Sequence, residues 1–397
     1  MPIDGAARPH FMWFVHHDGS ADSILEERCM DLSFLRPLYE VTGPVVSVHL
    51  DTSREDQDAD KRIEVVWRNL RQELEGQGVD APTLDAIEGA VGGSPEVVGP
   101  QGESLFAADG RLLAAHTLSA PPARNRAVVG PVADAVETVL DRDRQLPHVV
   151  VAIDRQGGEI DGYAVGAFDS ARSRSFSGST LHITRVKAGG PSKASYHRRT
   201  ENVWSSNATG VAEEIAEAVA AVEAAVVFVG GDDKATAALR EQPALQRLDV
   251  EVVDISGGRG GGDALASLRR SVDEALAAAS ARAHAHAFEQ YTAATGQGTG
   301  ASSIPAVSDA LAEGRVETLL LSADRSADPK KWSSETEPLR VTSAQEALGT
   351  GAESGFEMTA GALLLRSAAL GDAGFTEIPA GQDVADGCAA VLRYQIA

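Results

Sequence analysis

Seven cations and no carboxylate fall between residues 171 and 200: Arg172, Arg174, Arg185, Lys187, Lys193, Arg198 and Arg199. The chain holds 35 basic and 58 acidic residues, so removing these seven leaves 28 basic against 58 acidic elsewhere. Clustered Lys and Arg on an otherwise acidic chain is the composition of a local phosphate contact. The same charges on a surface loop that does nothing but solvate them would read identically, and both readings stand on charge alone. At the centre of the window stands a Gly189-Gly190-Pro191 breaker, after which the chain becomes strongly cationic.

Other chemistry finds less support. Asp154, Asp232 and Asp254 each stand where a predicted strand ends. Three such carboxylates could converge on a divalent metal, as in a two-metal nuclease, although aspartate is also common at strand exits because it favours turns. His284 and His286 are two apart on a predicted helix, point to different faces and are taken as solvated. The glycine run at 257–262 lacks the Lys-Ser/Thr of a phosphate-binding Walker loop and reads as a flexible turn. Gly230-Gly231-Asp232 follows a strand but lacks dinucleotide spacing, so it reads as a tight turn with Asp233 as the helix cap. No nucleophilic triad is discernible, and no cofactor is implied. Cys29 and Cys388 are the only cysteines, in no metal spacing, which predicts neither a disulfide framework nor an oxidising compartment.

The elements that must position these residues form a mixed α/β pattern. At 397 residues with 43% hydrophobic and 23% charged residues, the chain suits two or three domains. Its net charge of −23 repels DNA and anionic membranes, and no apolar run is long enough to span a bilayer. Residues 1–29 are poorly patterned and read as an extension or an early start codon, with cytoplasmic residence expected.

Residues 30–145 form a first unit. It has a strand at 45–50, then a helix whose Ile63, Val66, Trp67, Leu70 and Leu74 make one stripe, a hairpin over 104–118, a loop at 120–131 and a helix over 131–140 beginning at Pro131. Arg62, Arg68 and Arg71 lie off the stripe. Residues 146–292 form a second unit with strands at 148–153, 159–165, 181–186, 225–229 and 248–255. Its helices fall at 201–223, 233–240 and 263–291, and the cationic loop fills 187–200. Residues 293–397 form a third α/β unit with a polar insertion around 329–332.

The stretch Gly189-Gly190-Pro191-Ser192-Lys193-Ala194-Ser195-Tyr196-His197-Arg198-Arg199 resembles the GGQ loop of archaeo-eukaryotic peptide-chain release factors. Gly387-Cys-Ala-Ala-Val-Leu-Arg-Tyr394 resembles the C-terminal signature of the same factors and of Pelota. Leu35-Arg-Pro-Leu-Tyr39, Val48-His-Leu-Asp-Thr-Ser53 and Arg68-Asn-Leu70 look like the bacterial branch, which includes Balon-like ribosome hibernation factors and their actinobacterial relatives. The resemblance implies an RNase H-like middle domain, an L7Ae-like C-terminal domain, binding of the 70S ribosome at A-site rRNA, and EF-Tu as a candidate partner. It also implies that RNA contact falls to Lys187, Gly189, Gly190, Ser192, Lys193, Tyr196, His197, Arg198 and Arg199.

Pro191 departs from the family's Gln. Proline has neither a backbone N–H nor a side-chain amide to position water or an oxyanion. The expected function is therefore a non-catalytic ribosome-binding, hibernation-type factor. A rescue hydrolase or nuclease using another residue is the enzymatic alternative, and a stress-linked adaptor whose loop recognises an acidic protein is a third reading.

Overall fold

The computed structural model describes residues 29–93, 95, 99–165, 172–177 and 192–395, with 172–177 and 192–205 described as backbone. β1 (Met30–Asp31) and one turn of helix, α1 (Arg36–Tyr39), precede the first sheet. β2 (Val45–Asp51) is buried along nearly its whole length because it is central. It is flanked after α2 (Ala59–Gly76) and α3 (Ala81–Glu88) by β3 (Gly102–Ala108), with β4 (Arg111–Leu118) outside it, and on its other edge by β5 (Arg126–Gly130). All pairs are antiparallel. The hairpin expected over 104–118 is β3–β4, and its Asp109-Gly110 turn holds φ at 51° and 72°, the twist a two-residue loop needs.

The predicted α2 stripe is also present. Ile63, Trp67, Leu70 and Leu74 are buried against Val46, Val48 and Leu50, with Val66 at the rim. Two expectations need correction. Residues 126–130 are an edge strand rather than a loop, because Ala127, Val128 and Val129 pair with the free side of β2 while the prolines stay outside the ladder. The following helix, α4 (Val136–Arg144), starts well after Pro131.

The middle sheet begins as a meander of β6 (His148–Asp154), β7 (Gly157–Tyr163) and β8 (Arg172–Ser177). The chain then runs through α5 (Ser192–Val222) to β9 (Val226–Gly231), parallel to β6. It continues through α6 (Asp233–Arg240) and α7 (Pro243–Gln246) to β10 (Glu251–Ile255), parallel to β9. The order β10-β9-β6-β7-β8, three antiparallel strands extended by two parallel ones, is RNase H-like. The strand expected at 181–186 lies outside the described residues, and the partner of β7 is instead 172–177. Val211, Ile215, Val219 and Val222 of α5 pack on one face with Val149, Val151 and Ile160. α8 (Gly262–Gly296) covers the other face through Val272 against Val226 and Phe228. A strand covered on both faces must be continuously apolar, as β9 is.

The last sheet contains β11 (Gly300–Ser302), α9 (Ile304–Ala312) on its face, and β12 (Val316–Leu321). The expected polar insertion is a ribbon of β13 (Lys330–Ser334) and β14 (Gly355–Thr359). Then follow α10 (Ala360–Leu370), β15 (Gly374–Glu377) and β16 (Cys388–Leu392), in the order β1-β15-β12-β16-β11. β1, from the start of the described chain, thus closes the edge of the last sheet. Leu32, Leu35 and Leu38 join Val139, Leu363, Leu364 and Phe375 in one core, so the first and last sheets share buried surface.

α8 is the strut between the middle and last sheets. Its second half places Phe288 and Tyr291 against Leu320, Ile378 and Ala389. Both cysteines are free. Among the described residues no helix is long and apolar enough to cross a membrane.

Candidate nucleic-acid interface

The parallel strands β6 and β9 end side by side, which is where open α/β sheets place their ligands. Asp154 closes the β6–β7 turn by accepting the N–H groups of Gln156 (2.7 Å) and Gly157 (3.0 Å). Arg259 lies across Asp154 at 3.1 Å and Glu159 at 3.4 Å. Asp232 caps α6 by accepting the N–H groups of Lys234 and Ala235, so the cap is Asp232 and not Asp233. Arg155 grips the same carboxylate at 2.9 and 3.1 Å and holds it below the usual carboxylate range. Asp254 pairs with Arg240 at 2.8 Å.

Each of the three strand-end aspartates therefore faces its own arginine rather than a common point. Among the described residues no group of three or more His, Cys, Asp or Glu side chains is arranged to hold a metal. At this end Gly231, Gly257 and Gly258 are closely packed, whereas Gly261 and Gly262 face open space. A Cβ on Gly231 would lie 1.9 Å from the Ile153 carbonyl oxygen, and one on Gly257 would lie 2.3 Å from the backbone nitrogen of Leu268. Small residues let the β9–α6 and β10–α8 turns touch.

The helical part of the cationic window, residues 192–200, lies towards this end. Gly158 abuts Val211 and Gly162 abuts Val222, so α5 runs along β7 in the same direction, towards Val222. Asn207 anchors it to the β6–β7 turn, donating from Nδ2 to the Arg155 carbonyl oxygen at 3.0 Å. The helix begins at Ser192, about 22 Å of axis before Asn207 at 1.5 Å per residue.

Ser192, Lys193, Tyr196, His197, Arg198 and Arg199 are therefore helical positions, where a loop through residue 200 was expected. No hydrophobic periodicity marks these turns, so the sequence pattern started the helix too late. Pro191 immediately before the first turn is compatible with a helix start. Positions 193, 196 and 197 share one strip of the helix, and 195, 198 and 199 another. Lys187, Gly189, Gly190 and Pro191 lie outside the described residues.

The remaining candidates are accounted for. Arg62 pairs with Asp56 at 2.7 Å, Arg68 with Glu64 at 3.4 Å, and Arg71 with Glu75, Asp85 and Glu88. His286 is half-buried and bonded to Gln290. His284, expected to be solvated, is buried instead, 3.0 Å from Asp143. Its position on the interior face of α8 is masked in sequence by the alanine-rich surroundings. Sequence reasoning also missed Arg155, Arg259 and Asn207; an arginine directly after a strand-end aspartate was the available signal. In the C-terminal signature, Arg393 clamps two turns by donating to the carbonyl oxygens of Gly314 (3.0 Å) and Asp372 (2.6 Å), while Tyr394 is exposed.

Comparison with known proteins bears on this same region. Residues 147–297 match the family described as bacterial archaeo-eukaryotic release factor family 2. The uncharacterized protein Rv2629 of Mycobacterium tuberculosis is 30% identical over 302 residues, which span 72% of this chain and 77% of that protein. The uncharacterized protein MT2704 from another strain of that organism matches to the same extent. Among solved structures, archaeal Pelota in a ribosome-bound assembly with ABCE1 is 13% identical over 93% of this chain and 96% of its own, with a TM-score of 0.37. The archaeal translation termination factor aRF1 is 15% identical over 91% of this chain and 96% of its own, with a TM-score of 0.24. With its release-factor-type middle region and relatives matched over most of their length, the chain belongs to the bacterial archaeo-eukaryotic release factor family 2.

Proposed function

We propose that the protein binds the ribosome without catalysing peptide release, occupying the A site of idle ribosomes as a stress-linked hibernation factor in the cytoplasm. The observation that carries this reading is the placement of an acid-free, seven-cation window within a release-factor-family region of a chain with net charge −23. The window leads into a helix whose first turns carry Lys193, Arg198 and Arg199. In this reading those residues, with Lys187, meet rRNA phosphates, Tyr196 and His197 stack on bases, and Gly189, Gly190 and Ser192 let the backbone come close. Pro191 leaves the tip without the amide a release factor would use on water. The rest of the surface, being acidic, confines RNA contact to this window, and the last sheet is the candidate face for an EF-Tu-like factor. The arginine-paired aspartates at the end of the middle sheet weigh against the nuclease alternative.

Co-sedimentation with vacant 70S ribosomes tests the proposal. Wild-type protein is expected to pellet in a salt-sensitive manner, and Lys193→Glu/Arg198→Glu/Arg199→Glu is expected to lose most of that binding, because each phosphate contact adds to the salt slope. Equal pelleting of the two proteins, or none even with EF-Tu and GTP, would overturn it.

A further inference from the structure

The chain leaves the first sheet through α4 and residues 145–147, and it returns from the middle sheet along α8. These two crossings touch: Leu146 packs with Ala225 and Ala279. Just outside that contact, His284 of α8 sets Nε2 3.0 Å from Asp143 Oδ2 of α4, in a geometry closer to an ion pair than to an aligned hydrogen bond. Asp143 also accepts the backbone N–H of Glu377, in β15, at 2.7 Å. Arg144 holds the Glu377 carboxylate at 2.6 and 2.9 Å. The side chains of His284, Asp143 and Glu377 retain 10%, 8% and 11% of their surface.

One small polar junction thus links the helix that leaves the first sheet, the strut that carries the middle sheet, and a strand of the last sheet. The charged groups facing His284 are Asp143 and Arg144 from α4 and Glu377 from β15. Cys29 lies beyond Asp143, and burial raises its thiol pKa.

We propose that this junction is a pH-operated clasp on the hinge of the middle unit: protonated His284 draws α8 onto α4, and loss of its proton frees the middle unit to swing. With His284 protonated, two carboxylates meet two cations. With it neutral, Asp143 and Glu377 share Arg144 alone, and the buried site carries an uncompensated negative charge. Burial by itself would lower the His284 pKa, but the adjacent Asp143 carboxylate and the Glu377 charge outweigh that and raise it, against Arg144. A raised histidine stabilises the closed form fully below its ordinary value of 6.5 and loses that effect as pH climbs through its native value. Closure is therefore on the acidic side and release on the alkaline side. The clasp concerns the chain alone and does not depend on what the middle unit binds.

The test is a pulsed spin-label distance measurement on the full chain, with labels carried on unnatural residues at the exposed positions Glu241 and Glu346 so that both cysteines stay native. Across about pH 6 to about pH 9, where histidines titrate, the otherwise unsubstituted chain is expected to pass from one narrow distance to a broad distribution. Far-UV circular dichroism should stay native throughout. His284→Gln is expected to be broad at both ends, with the pH response lost. A distribution that does not change with pH overturns the clasp, as does a His284→Gln protein that keeps the same response. Should the substituted chain fail to fold, NMR titration of His284 in the unsubstituted protein decides the matter: a midpoint that does not coincide with the distance transition overturns the clasp.

Discussion

At the open end of the middle sheet, Arg155 and Asp232 keep 43% and 36% of their side-chain surface; at the junction beneath it, His284 and Asp143 keep 10% and 8%. Both pairs join elements distant in sequence, and both use a carboxylate that also accepts backbone N–H groups. Water screens the first pair and not the second. Exposed pairs contribute little because solvent competes for each charge, whereas a buried partner cannot be removed without stranding the other. The open end can therefore change its charges at small cost, as a surface that meets a ligand must. The junction is the place where one side chain can alter how the three sheets are held together.

The sharpest way to break this contrast is Asp143→Ala. It leaves His284 without its counter-charge and the Glu377 N–H without an acceptor, and it is expected to cost about 3 kcal/mol in urea unfolding. A cost under about 1 kcal/mol would mean that the junction behaves like a surface pair and that the comparison fails.

Glu103 sharpens the contrast from the other side, as a buried carboxylate without a cation of its own. Burial raises its pKa to about 7, against the hydrogen bonds from the Gly92 and Gly93 N–H groups and the charge of Arg54. Arg54 itself is spent on Asp60 and the Gly92 carbonyl oxygen. Because the native pKa lies above the unfolded one, the group's stabilising effect is complete at low pH and is lost as pH rises from 4.5 through about 7. Glu103→Gln, whose amide oxygen can accept the same two N–H groups, should stabilise the protein by about 2 kcal/mol above that window and change little below it. Equal effects at both pH values would show that the carboxylate is not strained by its burial.

How much of this was legible in sequence depends on range. Period-two and 3.6-residue patterning located β2, β3, β4, β6, β7, β9 and α2, because each is decided by which residues face a nearby core. The helical start of α5 was not legible, since its first turns have no apolar stripe. β5 was misread because the flanking Pro121, Pro122 and Pro131 suggested a loop, and only pairing with β2 explains the strand. The cationic window was plain from charge alone, whereas the pairings Asp154–Arg259 and His284–Asp143 join residues more than a hundred positions apart. No local pattern predicts them, and topology alone brings them together.

The smallest expected effect belongs to Asp232→Asn, and it is the one that isolates charge. Asparagine is as good a helix cap as aspartate, so the N–H groups of Lys234 and Ala235 keep their acceptor and only the ion pair with Arg155 is lost. The cost should be about 0.5 kcal/mol at low salt and should fade towards zero near 1 M salt, where the screening length is only about 3 Å. Arg155 depresses the Asp232 pKa, so this contribution exists above the ordinary value of 3.8 and disappears as pH falls through the lowered one. The difference between wild type and Asp232→Asn should therefore close in acid, whereas the His284 contribution is the one lost as pH rises. A salt-independent cost, or one that persists in acid, would mean that Asp232 acts through packing, and the open end would then be as rigidly built as the junction.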